Sequence, residues 1–328
     1  MRTLHRAVIA LAITAVAACD NAGSDLGFGA SETTAVTVGV YLDRDGSRTF
    51  TPPLDTLFAN ARVALLLAGT GDTLLTLTSN ALGLVRFESV PLGQYRVVVV
   101  PSSIGDSIQV AAVDSSIIRL VASDTNRTVV ARLGYPEVSI RAARALPAGR
   151  RVFIRGIILA GVQSFRDTTS HVADSSGQIR LTRVVLRGGL FGNNPGDSVS
   201  VLGVTSTRAG QPTLDNAAVA RFALRPPPIP LAVSTATAAT ASGGVLDAGL
   251  VQITGATVSD SLTVAPDFKV TVSDASGNLV IILDGNIPFA RGNFRPGRSI
   301  NVKGVLVPDG VGSWTLKPRE VGDVVFNN

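Results

Sequence analysis

The sequence predicts an all-β chain of three consecutive domains, a β-sandwich followed by two similar Greek-key barrels. Three observations predict it. The composition is 45% hydrophobic but only 5% aromatic, and 33 Gly and 17 Pro punctuate a pattern carried by Val, Thr, Ala and Leu. Such a mixture of branched apolar residues and turn formers favours strands over helices. Next, short runs alternate apolar and polar residues, as Val36-Thr37-Val38-Gly39-Val40-Tyr41-Leu42 does, the period of a half-buried strand. Finally, the second half repeats. Gly156 closing Arg151-Val152-Phe153-Ile154-Arg155 answers to Gly255 closing Leu250-Val251-Gln252-Ile253-Thr254, at an offset of 99. Asp174-Ser175-Ser176-Gly177 answers to Asp274-Ala275-Ser276-Gly277, Pro195-Gly196 to Pro296-Gly297, and Thr213-Leu214 to Thr315-Leu316, at offsets of 100, 101 and 102. Four ordered anchors drifting by single insertions describe one domain present twice. With 328 residues and domains of roughly 100–200 residues, three domains fit the length.

The chain opens with a targeting segment. Arg2 and Arg6 precede an apolar run from Ala7 to Ala18, too short for the roughly 20 apolar residues a bilayer-spanning helix needs but apt for a secretory signal. Its end, Val16-Ala17-Ala18-Cys19, resembles a bacterial lipobox. The resemblance implies that residues 1–18 are a lipoprotein signal peptide and that Cys19 becomes a lipidated N-terminus anchored in a membrane. Cys19 is also the single cysteine, so no intrachain disulfide can form. Residues 19–34 are small and polar, as a flexible tether should be. The expected location is extracytoplasmic, on a bacterial membrane.

The first domain is expected over 35–137. Val63-Ala64-Leu65-Leu66-Leu67 and Thr73-Leu74-Leu75-Thr76-Leu77 flank Gly69-Thr70-Gly71-Asp72, which reads as a hairpin. Thr78 through Gly83 and Phe87 to Val90-Pro91-Leu92-Gly93-Gln94-Tyr95-Arg96-Val97 resembles the closing phrase of prealbumin-like sandwiches. These include the B-type repeat of serine-aspartate surface adhesins and the carboxypeptidase regulatory-like domain. The resemblance implies a sandwich that opens with a strand and an acidic loop, here Asp43-Arg44-Asp45-Gly46-Ser47-Arg48-Thr49-Phe50.

That loop is the candidate metal site. Asp43 and Asp45 place two carboxylates on one side of a turn, and Gly46 permits the bend that brings backbone carbonyls inward; Ca²⁺ takes six to eight such oxygens. The adhesin resemblance implies a further acid downstream, here Asp55. Arg44 between the acids and Ser47 in place of a third one depart from the family pattern. The alternative is a solvated acidic turn.

Residues 138–225 and 226–328 are the two copies. In the first, strands are expected at Val152–Leu159, His171–Ala173, Ile179–Val185, Val199–Val204 and Thr213–Phe222, with a weak helix or loop from Gly188 to Asn194. Five strands in this order suit an OB-type Greek-key barrel, with a β-sandwich of another type as the alternative. Leu146-Pro147-Ala148-Gly149 through Ile157, Ala173-Asp174 through Ile179 and Gly196-Asp197 through Gly203 resemble OB-fold modules of secreted bacterial proteins, some attached to extracellular nucleases. Residues 226–230, four of them proline among Pro226, Pro227, Pro228 and Pro230, read as a semi-rigid extended linker.

Catalytic chemistry is hard to assemble from what is present. Only His5 and His171 exist, and four glutamates, Glu32, Glu88, Glu137 and Glu320, are scattered. A zinc cluster, a Ser-His-Asp triad and a paired-glutamate glycosidase site all lack their parts. The reading is non-enzymatic. Charge is more informative: residues 139–225 hold 12 basic against 4 acidic side chains, whereas 226–328 hold 7 against 8 and 20–138 hold 8 against 12. Within the basic copy Arg151 and Arg155 share strand parity, as Arg183 and Arg187 do if their strand is unbroken; these four are the candidate anion-binding residues, with Arg180 facing away. The functional expectation is a lipid-anchored binding or spacer module of the cell envelope. The alternative is an accessory subunit presenting nucleic acid or glycan to a secreted hydrolase through the first barrel. The partners implied are a membrane, through the lipid, and envelope polysaccharide, nucleic acid or another polyanion.

Overall fold

A computed structural model describes residues 32–187, 193–226 and 228–327. Cys19, the signal peptide, most of the tether, Gly188–Gly192 and Pro227 lie outside the described residues. The chain is all-β, a sandwich followed by two Greek-key barrels.

The sandwich is built from β1 (Thr33–Leu42), β2 (Thr56–Leu57), β3 (Arg62–Leu67), β4 (Thr73–Thr78), β5 (Leu84–Pro91), β6 (Gly93–Val99), β7 (Gln109–Val113), β8 (Ile117–Leu120) and β9 (Asn126–Gly134). One sheet runs β2-β1-β9-β7 with β5 along the same edge of β1 as β2; the other runs β4-β3-β6-β8. The alternation read in β1 is the reason they stack. Val36, Val38 and Val40 point into the core with Val63, Leu65, Phe87, Val97 and Leu133, all nearly or fully buried. Strand β9 lies parallel to β1 and delivers Arg132 opposite Tyr41.

The first barrel comprises α1 (Ile140–Ala145), β10 (Arg151–Ala160), β11 (Ser170–Asp174), β12 (Gly177–Leu181), β13 (Val185–Arg187), β14 (Asp197–Arg208) and β15 (Gln211–Leu224). The second comprises β16 (Leu231–Ala232), α2 (Thr235–Ala239), β17 (Leu250–Val264), β18 (Asp267–Asp274), β19 (Gly277–Leu283), β20 (Ser299–Pro308), β21 (Trp314–Lys317) and β22 (Val324–Phe326). In each, five strands close a ring in which the third and fifth are parallel: β10-β11-β12-β15-β14 and back to β10, and β17-β18-β19-β21-β20 and back to β17. This is the OB order. Ile154, Ile158, Val172, Ile179, Val201 and Val219 fill the first ring.

The recurring Asp-x-Ser-Gly turn has a structural duty the repeat alone did not reveal. A short helix precedes each barrel, and the turn caps it. Ser139 and Ser234 are the N-caps. Asp174 accepts the Ile140 N–H at 2.8 Å and Ser176 Oγ accepts the Arg141 N–H at 3.0 Å; Asp274 and Ser276 do the same for Thr235 and Ala236, both at 3.0 Å. Thus the hairpin between the second and third strands satisfies the orphan donors of a helix and closes one end of the barrel. Burial raises the Asp174 carboxyl, but these N–H and hydroxyl donors outweigh it and hold the pKa below the usual carboxylate range.

The two barrels touch, and one expectation needs correction. Leu159, Ala160 and Phe165 of the first barrel share a buried cluster with Leu250 and Val305 of the second. Charged and polar groups complete this contact: Lys317 lies 3.2 Å from Asp284 and 4.6 Å from the Phe165 ring centre, Arg319 donates to the Leu159 carbonyl at 2.8 Å, and the Gln178 amide donates to that of Val245 at 2.7 Å. The correction concerns the strand assumed to carry Arg183 and Arg187. It is broken, since β12 ends at Leu181 and Arg183 sits at φ +48°, so strand parity cannot align the two arginines.

Candidate metal centre at the sandwich–barrel seam

The loop after β1 folds around its own carboxylates. Asp43 accepts the N–H of Gly46 at 2.6 Å and of Arg48 at 3.1 Å; Asp45 accepts that of Ser47 at 2.8 Å. From the far end of the loop Asp55 accepts Arg44 N–H at 2.8 Å and Thr51 N–H at 2.9 Å. All three acids are buried. One oxygen from each lies within 4.8 Å of the others. The three residues singled out in the sequence are thus brought together.

The electrostatics are unbalanced. Among the described residues the one cation in direct contact is Arg132, 3.0 Å from Asp43 and held there by β9. Burial pushes the Asp55 carboxyl up; the Arg44 and Thr51 N–H groups pull it back, and the charges of Asp45 and Asp43 push it up again. Burial and the Asp43 charge push the neighbouring Tyr41 hydroxyl up to about 12. Three carboxylates with no His or Cys among them make a hard-oxygen donor set, suited to Ca²⁺ or Mg²⁺ and not to zinc. The cluster could hold such an ion, and each of the three carboxylates keeps acceptor capacity beyond its N–H donors, although Asp43 Oδ2 already takes both Arg48 N–H and Arg132 Nη1.

The loop is also the joint to the first barrel. Ser200 Oγ on β14 donates to the Asp45 carbonyl at 2.8 Å, and Arg155 Nη2 on β10 donates to the Gly46 carbonyl at 3.0 Å. Gly46 has φ +73°, and a Cβ there would meet Ser200 Oγ at 3.0 Å and Phe153 Cε1 at 3.3 Å, so conformation and proximity both require glycine. Phe153 and Leu202 of the barrel enter the buried cluster of the sandwich itself. Burying one phenylalanine is worth roughly 2–3 kcal/mol, against about 1 kcal/mol for a hydrogen bond. The apolar plug therefore holds the joint and the two carbonyl bonds orient it.

The four candidate arginines do not form one patch. Arg151 reaches the Tyr135 hydroxyl at 3.2 Å and lies over its ring. Arg183 is exposed and pairs with Asp215. Arg155 and Arg187 do meet, in a cleft of about 360 Å³ between barrel and sandwich, where Arg48 and Arg221 join them. Arg180, expected to face away from the others, instead leaves its strand on the outer side of the barrel as Arg155 does, since Ile179 and Leu181 on either side of it fill the core and the strand ends before Arg183; it is only 5% exposed, and its neighbour His171 is fully buried. Burial first, and the Arg180 charge second, hold His171 down to about 3, so it is neutral. Sequence reasoning missed Arg132, Ser200, Arg48 and Arg221. Nothing local marks the role of Arg132, Ser200 and Arg221, because each reaches its site through pairing between strands distant in sequence, whereas Arg48 lies within the acidic loop and only the docking of that loop on the barrel gives it a place in the cleft.

No family model matches the chain, and no curated protein does. Among solved structures, the p202 HIN1 domain in complex with 12-mer dsDNA is 12% identical with a TM-score of 0.28, covering 53% of this chain and 92% of its own. A murine DNA-binding protein bound with dsDNA gives 12% and 0.28, covering 53% and 97%. Asparaginyl-tRNA synthetase from Pyrococcus horikoshii gives 16% and 0.24, over 29% of this chain and 21% of the synthetase. Similarities at this level carry no functional argument.

Proposed function

We propose that this chain is a non-catalytic, lipid-anchored binding module of the bacterial cell envelope, whose sandwich–barrel joint is set by Ca²⁺ held on Asp43, Asp45 and Asp55. One observation carries the reading: the loop that gathers three buried carboxylates is the loop whose Asp45 and Gly46 carbonyls receive Ser200 and Arg155. A divalent ion would relieve the repulsion among the acids and lock the carbonyls that orient the barrel. Ca²⁺ is preferred over Mg²⁺ because an irregular loop meets its flexible coordination more readily than a strict octahedron. The test is thermal unfolding of the full chain at millimolar calcium and in chelator. Binding only to the folded state stabilises by about 2.7 kcal/mol at one hundred times Kd, so the melting temperature should fall on chelation. Superimposable curves would reject the metal.

The anchor rests on Val16-Ala17-Ala18-Cys19 closing a short apolar run. Mass spectrometry of the mature N-terminus should find an acylated Cys19, and Cys19→Ser should abolish the modification. An unmodified N-terminus generated elsewhere would remove the anchor from the reading.

A second reading, presentation of a polyanion by the first barrel, is favoured by its 12 basic against 4 acidic residues. Its oligonucleotide form is disfavoured. OB folds bind oligonucleotides on the face of their second and third strands, and here that face carries the buried His171 and Arg180 beside the contact with the second barrel.

A further inference from the structure

The outer surface of the first barrel that meets the sandwich has an ordered composition. Arg155 on β10 pairs in register with Ser200 on β14, Ser200 with Ala220 on β15, and Ala220 with Arg187 on β13. Register partners share a face of a sheet. The preceding row, Ile154, Val201, Val219 and Leu186, is paired the same way and belongs to the barrel core. The outward row therefore forms a floor with two small residues at its centre and an arginine at each side. Its ends are three strand spacings apart, about 14 Å.

The walls and roof add charge of the same sign. Arg221 rises beside the floor, and Arg48 with Ser47 reaches over it from the sandwich loop. Four arginines and a single acid, Asp45, line this cleft of about 360 Å³. Part of the charge is compensated: Arg155 bonds Glu137 at 2.8 Å, Arg48 lies 3.9 Å from the same carboxylate, and Arg221 pairs with buried Asp197 at 2.9 Å. Arg187 is different. Its Nε is buried and has no hydrogen-bond partner among the described residues. Leaving a charged donor desolvated and unmatched is costly, and an oxyanion accepting from a planar guanidinium repairs that cost with paired hydrogen bonds.

We propose that this cleft is a binding site for a small ligand bearing a phosphate or carboxylate group, of about monosaccharide size, with Arg187 as its principal donor and Ser200 and Ala220 as its floor. The volume sits at the lower end of small-molecule sites, about 300–1,000 Å³, and is too small for a nucleic-acid duplex. The site sharpens the second reading of function and stands on the arginine row, not on the metal.

Isothermal titration of the full chain in nonionic detergent at low salt, run in parallel with and without added calcium and with no carboxylate chelator in the cell, would use glucose 1-phosphate and glucuronate, with inorganic phosphate in the calcium-free arm, as probes and glucose as control. The expected result is saturable binding of at least one anionic probe, none of glucose, and a preference that separates phosphate from carboxylate. Arg187→Gln should weaken binding about tenfold or more, as loss of a charge-assisted bond requires. Ala220→Glu, which places a carboxylate on the floor, should abolish binding while thermal stability is kept or raised. That second variant separates an occupied site from a misfolded one. The proposal is overturned if no anionic probe binds saturably, or if both variants bind as the wild type does.

Discussion

At the scale of single residues, the chain places its acids to finish structures made elsewhere. Asp174 and Asp274 stand at equivalent points of the two copies and cap helices that lie 34 and 39 residues upstream. Each carboxylate is also fixed by its own turn, Ser176 Oγ at 2.6 Å from Asp174 being one of the bonds. Removing a helix cap costs about 0.5–2 kcal/mol, and Asp174 accepts more than one donor. Asp174→Ala is therefore expected to destabilise the chain by about 1–2 kcal/mol, read as a lowered denaturant midpoint with an unchanged slope. Asn at the same position retains acceptor capacity and should cost less.

At the scale of elements, the loop between β1 and β2 is the one that does most with least regular structure. Its residues serve two sets of partners at once: side-chain oxygens face the carboxylate cluster, and backbone carbonyls face the barrel. A metal bound there would therefore link stabilisation of the loop to orientation of the barrel. Asp45→Ala should remove the melting response to calcium, and in the variant a chelator should change nothing further. If instead the variant still responds to calcium as the wild type does, the ion sits elsewhere. The contrast with the capping turns is instructive. Each of them sets a single carboxylate among backbone and hydroxyl donors, whereas the loop concentrates three acids against one arginine.

At the scale of the whole molecule, the three domains share surfaces: Phe153 and Leu202 plug the sandwich, and Phe165 packs with Leu250 and Val305 of the second barrel. His171 sits in the second of these contacts, edge-on to Phe165, with both ring nitrogens unpartnered. Burial lowers its pKa from the ordinary 6.5 to about 3. The folded state thus binds fewer protons than the unfolded state between those values. Stability is fully present above about pH 6.5 and is lost as pH falls, the folding equilibrium weakening by about tenfold per unit toward pH 3. His171→Leu should flatten that part of the pH–stability profile. A variant with the wild-type slope between pH 6 and 4 would show that other groups carry the acid sensitivity.

Much of this was legible in one dimension. Alternation within runs such as Val36–Leu42, glycine and proline between them, and the four repeated anchors from Gly156/Gly255 to Thr213/Thr315 determined the all-β class and the duplicated barrels, because strand period and turn chemistry are local properties. Asp43, Asp45 and Asp55 were legible for a similar reason: they lie within 13 positions, and a single loop can bring them together. The helices before each barrel were not foreseen, although Ser139 and Ser234 stood at their caps, since helices of six and five residues have too little periodicity to announce themselves. The arginines mark the boundary most sharply. Parity within a strand grouped Arg151 with Arg155, yet only the pairing of β10, β14, β15 and β13 set Arg155 and Arg187 at the two sides of one floor. Tertiary structure likewise decided that His171 and Arg180, outward-facing on their strands, are buried. Sequence determines which way a side chain leaves its own strand; what it meets there depends on strands and domains far along the chain, whose register is fixed by burial of the whole core.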